Sequence, residues 1–427
     1  MKLPNRFKPG VCGIALFGLL AAGCQAPLAG NGEGLKLGTL LPITGDLAQF
    51  GGPMQDSARL LVNTVNACGG VLGQTVTLVN EDDQTEPAVG AQAMAKLAEV
   101  DQVAGVIGAA SSAVSSAAVD IAVRNQVMLV SPASTSPTFT ERARRGDFNG
   151  YWARTAPPDT FQGEALVQLA QQQGFQTVGV LSINNDYGNG LVQSFLPAFE
   201  ASGGTVTNRN NPTRYDPGAA TFDAEVARAF SGSPDAVLLV SYPETGSLIL
   251  KTAYESGALN GQTQIIATDG LKDFDLANLV GRNPQGGYIA AGMIGTAPSA
   301  GGPALEAFRE RYLTAYNNRE PSVFDPNTWD AAALMVLAAE AAQSIESQDI
   351  RNHIQSVANP PGTEVTDVCE GLSLLSRGEE INYQGASGTV DLNEDGDVTG
   401  SYDVWEIDES GTLQIKDQIL VESVTRE

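Results

Sequence analysis

The stretch "GVIGAASSAVSSAAVDIAVRNQVMLVSPASTSP", residues 105–137, decides the fold. Two short apolar runs, 103–107 and 128–130, flank a small-residue segment, and each run ends in a loop of Ser, Ala, Thr and Gly or Pro. Runs apolar on both faces and joined by helices specify a parallel sheet covered on each side. In such sheets ligands bind beyond the carboxyl ends of the strands, where helix N-termini present free N–H groups. Small residues there let a ligand reach the backbone, and serine caps helices. Ser112, Ser115 and Ser116 therefore read either as ligand donors or as caps and solvated surface.

The same alternation extends in both directions. Apolar runs recur at 35–41, 75–80, 178–183, 236–240 and 264–267, with helical spacing between them, as in 57–65 and 88–99. A break falls at "YWARTAPPD", 151–159, and a second series starts at Phe161. The Gly-rich segment 281–293 reads as another crossing, followed by helices at 305–316 and 327–342. Near the end, "GTVDLNEDGDVTGSYDVWEI", 388–407, alternates and turns at Asp395-Gly396, a hairpin signal. The fold class is α/β. About 390 residues follow the leader, more than one core usually supports, so two domains are expected.

Lys2, Arg6 and Lys8 precede the apolar run 11–22 and then "AAGC", the layout of a secretory signal too short to span a bilayer. Ala22-Gly23-Cys24 resembles the lipobox of bacterial lipoproteins. The expectation is a signal peptide over 1–23, an acylated Cys24 opening a tether over 24–34, and a protein anchored outside the cytoplasm at the cell envelope. The formal charge of −25 argues against nucleic acid and against an electrostatic membrane patch.

Cys12 lies in the leader, which leaves Cys68 and Cys369 as one disulfide or two buried thiols. The single histidine, His353, reads as a surface residue, so neither a metal site nor a histidine triad is expected. "DLNEDGDVTGSY", 391–402, imitates a calcium-binding loop but ends in Tyr402 where glutamate is needed. The acidic segment 80–86 reads as a solvated loop. There is no P-loop, no dinucleotide fingerprint and no nucleophile elbow, so no cofactor and no enzyme activity are expected.

The polar residues collect after the strands: "PITGDLAQFGG", "GAASSAVSS" and "SPASTSP" in the first half, then "NNDYGNG", "SYPETG" and "TDG" in the second. One polar ligand held between the halves would explain small hydroxyls on one side and Tyr187, Tyr242 and Asp269 on the other.

These stretches, with "LGTLLPITGDLAQFGGPMQDSARLLVNTVNACGGVLG" and "YQGASGTVDLNEDGDVTGSYDVW", closely resemble the Leu/Ile/Val-binding family of ABC-transporter substrate-binding proteins, the type I periplasmic-binding fold. The resemblance runs from Lys36 nearly to the end. It implies two Rossmann-like lobes, each a mainly parallel sheet between helices, joined by three crossing strands and closing on the ligand. The boundaries expected are 35–154 plus 290–384 for lobe one and 155–289 plus 385–427 for lobe two.

By resemblance, Ser112 and Thr135 hold a ligand carboxylate with backbone help from Ala133, and Tyr187 reaches that carboxylate on closure. Phe50 lies beside the ligand side chain, Tyr242 is a second lobe-two contact, and Asp269 binds the ammonium where the family more often has glutamate. From the residues alone, Asp269 could equally be a turn residue, Tyr242 interface packing and Phe50 core. The function implied is capture of a small amino acid, aliphatic or branched-chain, by a monomer that delivers it to ABC permease subunits. Binding of urea or short amides, or service as a sensor for a signalling partner, are the alternatives.

Overall fold

The computed structural model describes residues 34–421; the leader, Cys24 and the tether through residue 33 lie outside the described residues. A first sheet is formed by β1 (Lys36–Leu41), β2 (Thr77–Asp82), β3 (Gly105–Gly108), β4 (Met128–Ser131) and β5 (Trp152–Arg154). Its order is β2-β1-β3-β4-β5, and all its pairs are parallel. The connections carry α1 (Ala48–Ala67), α2 (Pro87–Ala95), α3 (Ser112–Asn125) and α4 (Thr138–Arg144). The central strands β3 and β4 are buried along their whole length because helices cover both faces. Val114, Ala118 and Val119 of α3 pack on one face, while α1 and the later helices pack on the other.

The second series comprises α5 (Asp159–Gln172), β6 (Thr177–Ile183), α6 (Asp186–Ala201), β7 (Thr205–Val206), β8 (Thr213–Tyr215) and α7 (Asp223–Ala229). It continues with β9 (Ala236–Val240), α8 (Pro243–Glu255), β10 (Gln264–Ala267), α9 (Leu276–Val280) and β11 (Ile294–Pro298). The chain then returns to the first core with α10 (Leu305–Ala315), α11 (Asp325–Ala342), α12 (Ser347–Ala358), β12 (Thr363–Val365), α13 (Val368–Leu375) and β13 (Ile381–Tyr383). It closes the second sheet with β14 (Tyr402–Ile407) and β15 (Leu413–Ile419). The second sheet runs β15-β14-β11-β10-β9-β6-β7, with β8 also beside β6, and only the β11-β14 and β14-β15 pairs are antiparallel. In α11, residues 325–340 are all buried, and its alanines bring α1 and α12 close.

Several sequence expectations shift. The run expected at 75–80 is β2, which continues to Asp82: Asn80, Glu81 and Asp82 pair with Thr39, Leu40 and Leu41. The start of the acidic segment is thus edge strand rather than loop, held in register as the Thr39 hydroxyl donates to Asn80 Oδ1 at 2.9 Å. Asp395-Gly396 is not a hairpin turn between paired strands. Asn393 Oδ1 accepts from the amides of Asp395 and Asp397, and the antiparallel hairpin is β14-β15 instead.

The crossing expected near 290 also moves. Segment 281–293 folds on itself through an Arg282–Tyr288 bridge, and β11 then pairs with β10, so the chain leaves the second sheet only after Pro298. Likewise Ala386, Val390, Leu392 and Val398 pack in the first core, so the last crossing follows Val398 rather than 384. Cys68, after α1, is disulfide-bonded to Cys369 in the first turn of α13, with their Cα atoms 6.0 Å apart. His353 lies on α12, its Nδ1 near the Asp349 carbonyl at 2.9 Å. Among the described residues no helix is long and apolar enough to cross a membrane.

Candidate ligand-binding site

The site begins where β3 ends. Gly108 has φ +140°, and a Cβ there would stand 2.1 Å from the Leu40 carbonyl oxygen, so only glycine lets the chain turn toward α3. The first amides of α3 have no intrahelical acceptor, which makes its N-terminus a positive end. Ser112 opens the helix and is buried, and its hydroxyl oxygen accepts from the Ser136 amide at 3.3 Å. That bond leaves the Ser112 proton free to donate.

Ser115 is neither cap nor solvated. It is fully buried and bonds the Ser134 hydroxyl at 2.8 Å, tying the loop after β3 to the loop after β4. Ser131 and Ser134 also donate to the Ala109 carbonyl. The small hydroxyls thus act mainly as stitching between two backbone loops, and Ser112 is the one left facing the cavity.

Across the cleft, the loops after β9 and β10 supply the opposite wall. Tyr187, near the start of α6, stacks on Tyr242 with ring centroids 5.6 Å apart and planes 8° apart. The Tyr187 hydroxyl donates to Asp269 Oδ1 at 2.8 Å and lies 2.7 Å from Thr268 Oγ1. It is thus turned toward Asp269 and Thr268. Tyr242 reaches the other lobe, its hydroxyl 3.4 Å from Ser111 Oγ while it accepts from Asn185 Nδ2 at 3.2 Å. Gly270 permits the close approach: a Cβ would lie 2.4 Å from the Ser241 carbonyl oxygen.

Phe50, Ser112, Ala133, Tyr187, Tyr242 and Asp269 line one partly enclosed cavity of about 20 Å³. Thr135 stands behind that wall; it is buried, its carbonyl accepts from the Asp159 amide at 2.8 Å, and its hydroxyl has no hydrogen-bond partner. Phe50 meets Phe324 edge to face at 6.3 Å, and Leu47 and Met54 complete an apolar end.

Sequence reasoning missed Leu47, Met54 and Phe324 of this lining, and also Asp159, which lies outside it. Phe324 precedes α11 and reaches the site only because the chain returns to the first core. Asp159 opens α5 directly after the Pro157-Pro158 pair. It is fully buried and neither of its carboxylate oxygens has a hydrogen-bond partner. Burial pushes its carboxyl well above the usual range and repulsion from Asp269 adds to this, while the nearby Thr135 hydroxyl opposes it. Burial raises Asp269 as well, against hydrogen bonds from Tyr187 and Gln162. The signal for Asp159 was an acid in the first turn of a helix beside a crossing.

The cavity therefore has three chemically distinct sides: a helix N-terminus with a free hydroxyl, the buried Asp269 carboxyl, and an apolar end. Residues 53–410 match the model of the receptor family ligand binding region. The chain belongs to this family. A chemotactic signal transduction system substrate-binding protein, BasB of Halobacterium salinarum, is 26% identical over 389 residues, covering 89% of this chain and 88% of BasB. Leu/Ile/Val-binding protein homolog 3 of Brucella melitensis is 25% identical over 377 residues, covering 88% of this chain and 92% of that protein. The solved leucine-binding protein LivK of Thermotoga maritima superposes with a TM-score of 0.74 at 27% identity, over 90% of this chain and 98% of LivK. This family member thus has the type I periplasmic-binding fold and is a ligand-binding protein rather than an enzyme.

Proposed function

We propose that the protein is an extracytoplasmic lipoprotein, anchored through Cys24, that captures a small aliphatic amino acid between its lobes and delivers it to an ABC permease. The observation that supports this reading is that the buried Asp269 carboxyl lines the same cavity as Ser112 at the N-terminus of α3, with a second buried acid, Asp159, close enough to repel it. A zwitterion fits both ends: its ammonium relieves two buried carboxyls that repel, and its carboxylate accepts from Ser112 and the α3 amides. Ala133 contributes backbone, and Thr135, whose hydroxyl lacks a partner, serves the ligand from behind the wall. Phe50, Phe324, Leu47 and Met54 favour an aliphatic side chain over urea or a short amide, which would leave that end unfilled. In this reading lobe one comprises 35–154 with 299–398, and lobe two 159–298 with 402–421.

Titration calorimetry of the purified protein with L-leucine, L-isoleucine, L-valine, benzoate and urea tests the assignment. At least one of the three amino acids is expected to bind, and urea is not; urea binding alone would overturn the reading. BasB supports a second reading, a ligand sensor for a signalling partner. Uptake of labelled amino acid by cells lacking this chain separates the two, since only the transport role requires uptake to fall.

A further inference from the structure

Arg154 is completely buried at the end of β5, and its guanidinium is used on all sides. Nε donates to Asp397 Oδ1 at 2.6 Å. Nη1 donates to the carbonyls of Ser134 at 3.1 Å and Ser136 at 2.9 Å, on either side of Thr135. Nη2 donates to Thr140 Oγ1 at 2.8 Å, and that hydroxyl donates to Asp397 Oδ2 at 2.6 Å. Asp397 arrives from the calcium-loop look-alike: Asn393 Oδ1 holds the amides of Asp395 and Asp397, and the Arg154 amide donates to the Gly396 carbonyl at 2.9 Å. Asp397 of the acidic motif therefore pairs with a guanidinium.

We infer that Arg154, clamped by Asp397, is the positioning residue for the ligand loop 131–136: it fixes the carbonyls flanking Thr135, and thereby the loop face turned to the ligand, without touching the ligand. This inference rests on the proposed amino-acid site. A planar fork with several fixed donors suits the task, because it holds two carbonyls at one spacing where an ammonium would act as a point charge. The pairing has an electrostatic purpose too. Arg154 lies near enough to Asp159 to influence its carboxyl, so an unneutralised guanidinium would compete with a ligand ammonium for the same acid. Asp397 removes that competition.

The test separates positioning from plain stability. In the double variant Arg154→Met/Asp397→Leu both buried charges disappear together, so neither is left unpaired and the fold is expected to persist, with a lower Tm because the Ser134 and Ser136 carbonyls lose their donor. The amides of Ser134 and Ser136 are nevertheless expected to exchange at least about tenfold faster, and L-leucine to bind at least about tenfold more weakly. A pair that serves only stability would leave both loop exchange and affinity unchanged in this variant, which would overturn the inference. Thr140→Val keeps the ion pair and cuts only its bridge; an intermediate loss of about threefold in affinity, with faster loop exchange, is expected. Should the double variant fail to fold, wild-type exchange and affinity in Thr140→Val overturn the inference by themselves. Should the wild type bind none of the amino acids, the amino-acid reading fails, and loop exchange alone decides the role of Arg154.

Discussion

Asp159 and Asp269 stand close enough to repel each other in a place that water does not reach, and burial raises both carboxyls. A ligand ammonium would turn that cost into binding energy. Removing one carboxylate leaves the ammonium less compensated, so Asp269→Ala is expected to weaken L-leucine binding by about 3 kcal/mol or more. Ser112→Ala should cost about 1–2 kcal/mol, because the α3 amides remain as donors. Calorimetry on the two variants checks the order of these losses, and an equal or reversed order would count against the assigned ends. The sequence pointed to Ser112, Tyr187 and Asp269 because each follows a strand in a parallel sheet. Asp159 escaped because its loop read as a break between domains, and the buried stitching role of Ser115 was not foreseen because a surface cap and a buried stitch have the same local sequence. Only the packing of two loops against each other distinguishes them.

At the level of elements, the β1-α1 loop and α8 are joined across the cleft. Asp46 Oδ1 accepts from the Thr245 amide and Oδ2 from the Thr245 hydroxyl, both at 2.9 Å. Thr245 lies in the first turn of α8, so a lobe-one aspartate caps a lobe-two helix. Tyr242, just before the same helix, adds its contact with Ser111. These bonds span the cleft between the two sheets' loops. Asp46→Ala is therefore expected to lower ligand affinity by about 1 kcal/mol, the usual worth of a cap, while leaving each lobe folded. Calorimetry with far-ultraviolet circular dichroism measures both quantities; unchanged affinity would show that the cap does not favour closure. The strands were legible from their apolar runs, whereas the crossings at 299 and 399 were not, because sheet membership of β11 depends on its β10 partner rather than on its own residues.

For the whole molecule, pH provides a reading of the buried acids. Burial raises Asp83 to about 7, Asp325 to about 7, and Asp330 to about 6, the last against hydrogen bonds from Ser387, Ala386 and Tyr383. Each folded-state value lies above the unfolded one of 3.8, so the folded chain holds protons that the unfolded chain has released. Their contribution to stability is complete below the unfolded value and is lost as pH climbs through 6 to 7. Asp235 works in the opposite sense: the amides of Gln176 and Thr177 hold its carboxyl low, so its contribution survives until the pH falls below the usual carboxylate range. The formal charge of −25 adds self-repulsion that also eases as carboxylates protonate. Calorimetric Tm of the ligand-free protein should therefore rise between about pH 8 and about pH 5. A Tm that falls over that interval would contradict the balance. Parallel sheets followed from the alternation of runs, two domains from chain length and the two-lobe architecture from the family resemblance; which acids are buried depended on contacts between lobes and returning helices.

The central claim is that one cavity recognises both ends of an aliphatic amino acid, and a set of titrations against L-leucine, 4-methylpentanoate and 3-methylbutylamine tests it most directly. The two analogues keep the leucine side chain but lack the ammonium and the carboxylate respectively. L-leucine is expected to bind, with each analogue at least about a hundredfold weaker, since each leaves buried charge without its partner. Binding of 4-methylpentanoate as tight as that of L-leucine would contradict the account, because Asp159 and Asp269 would then have no ammonium to hold.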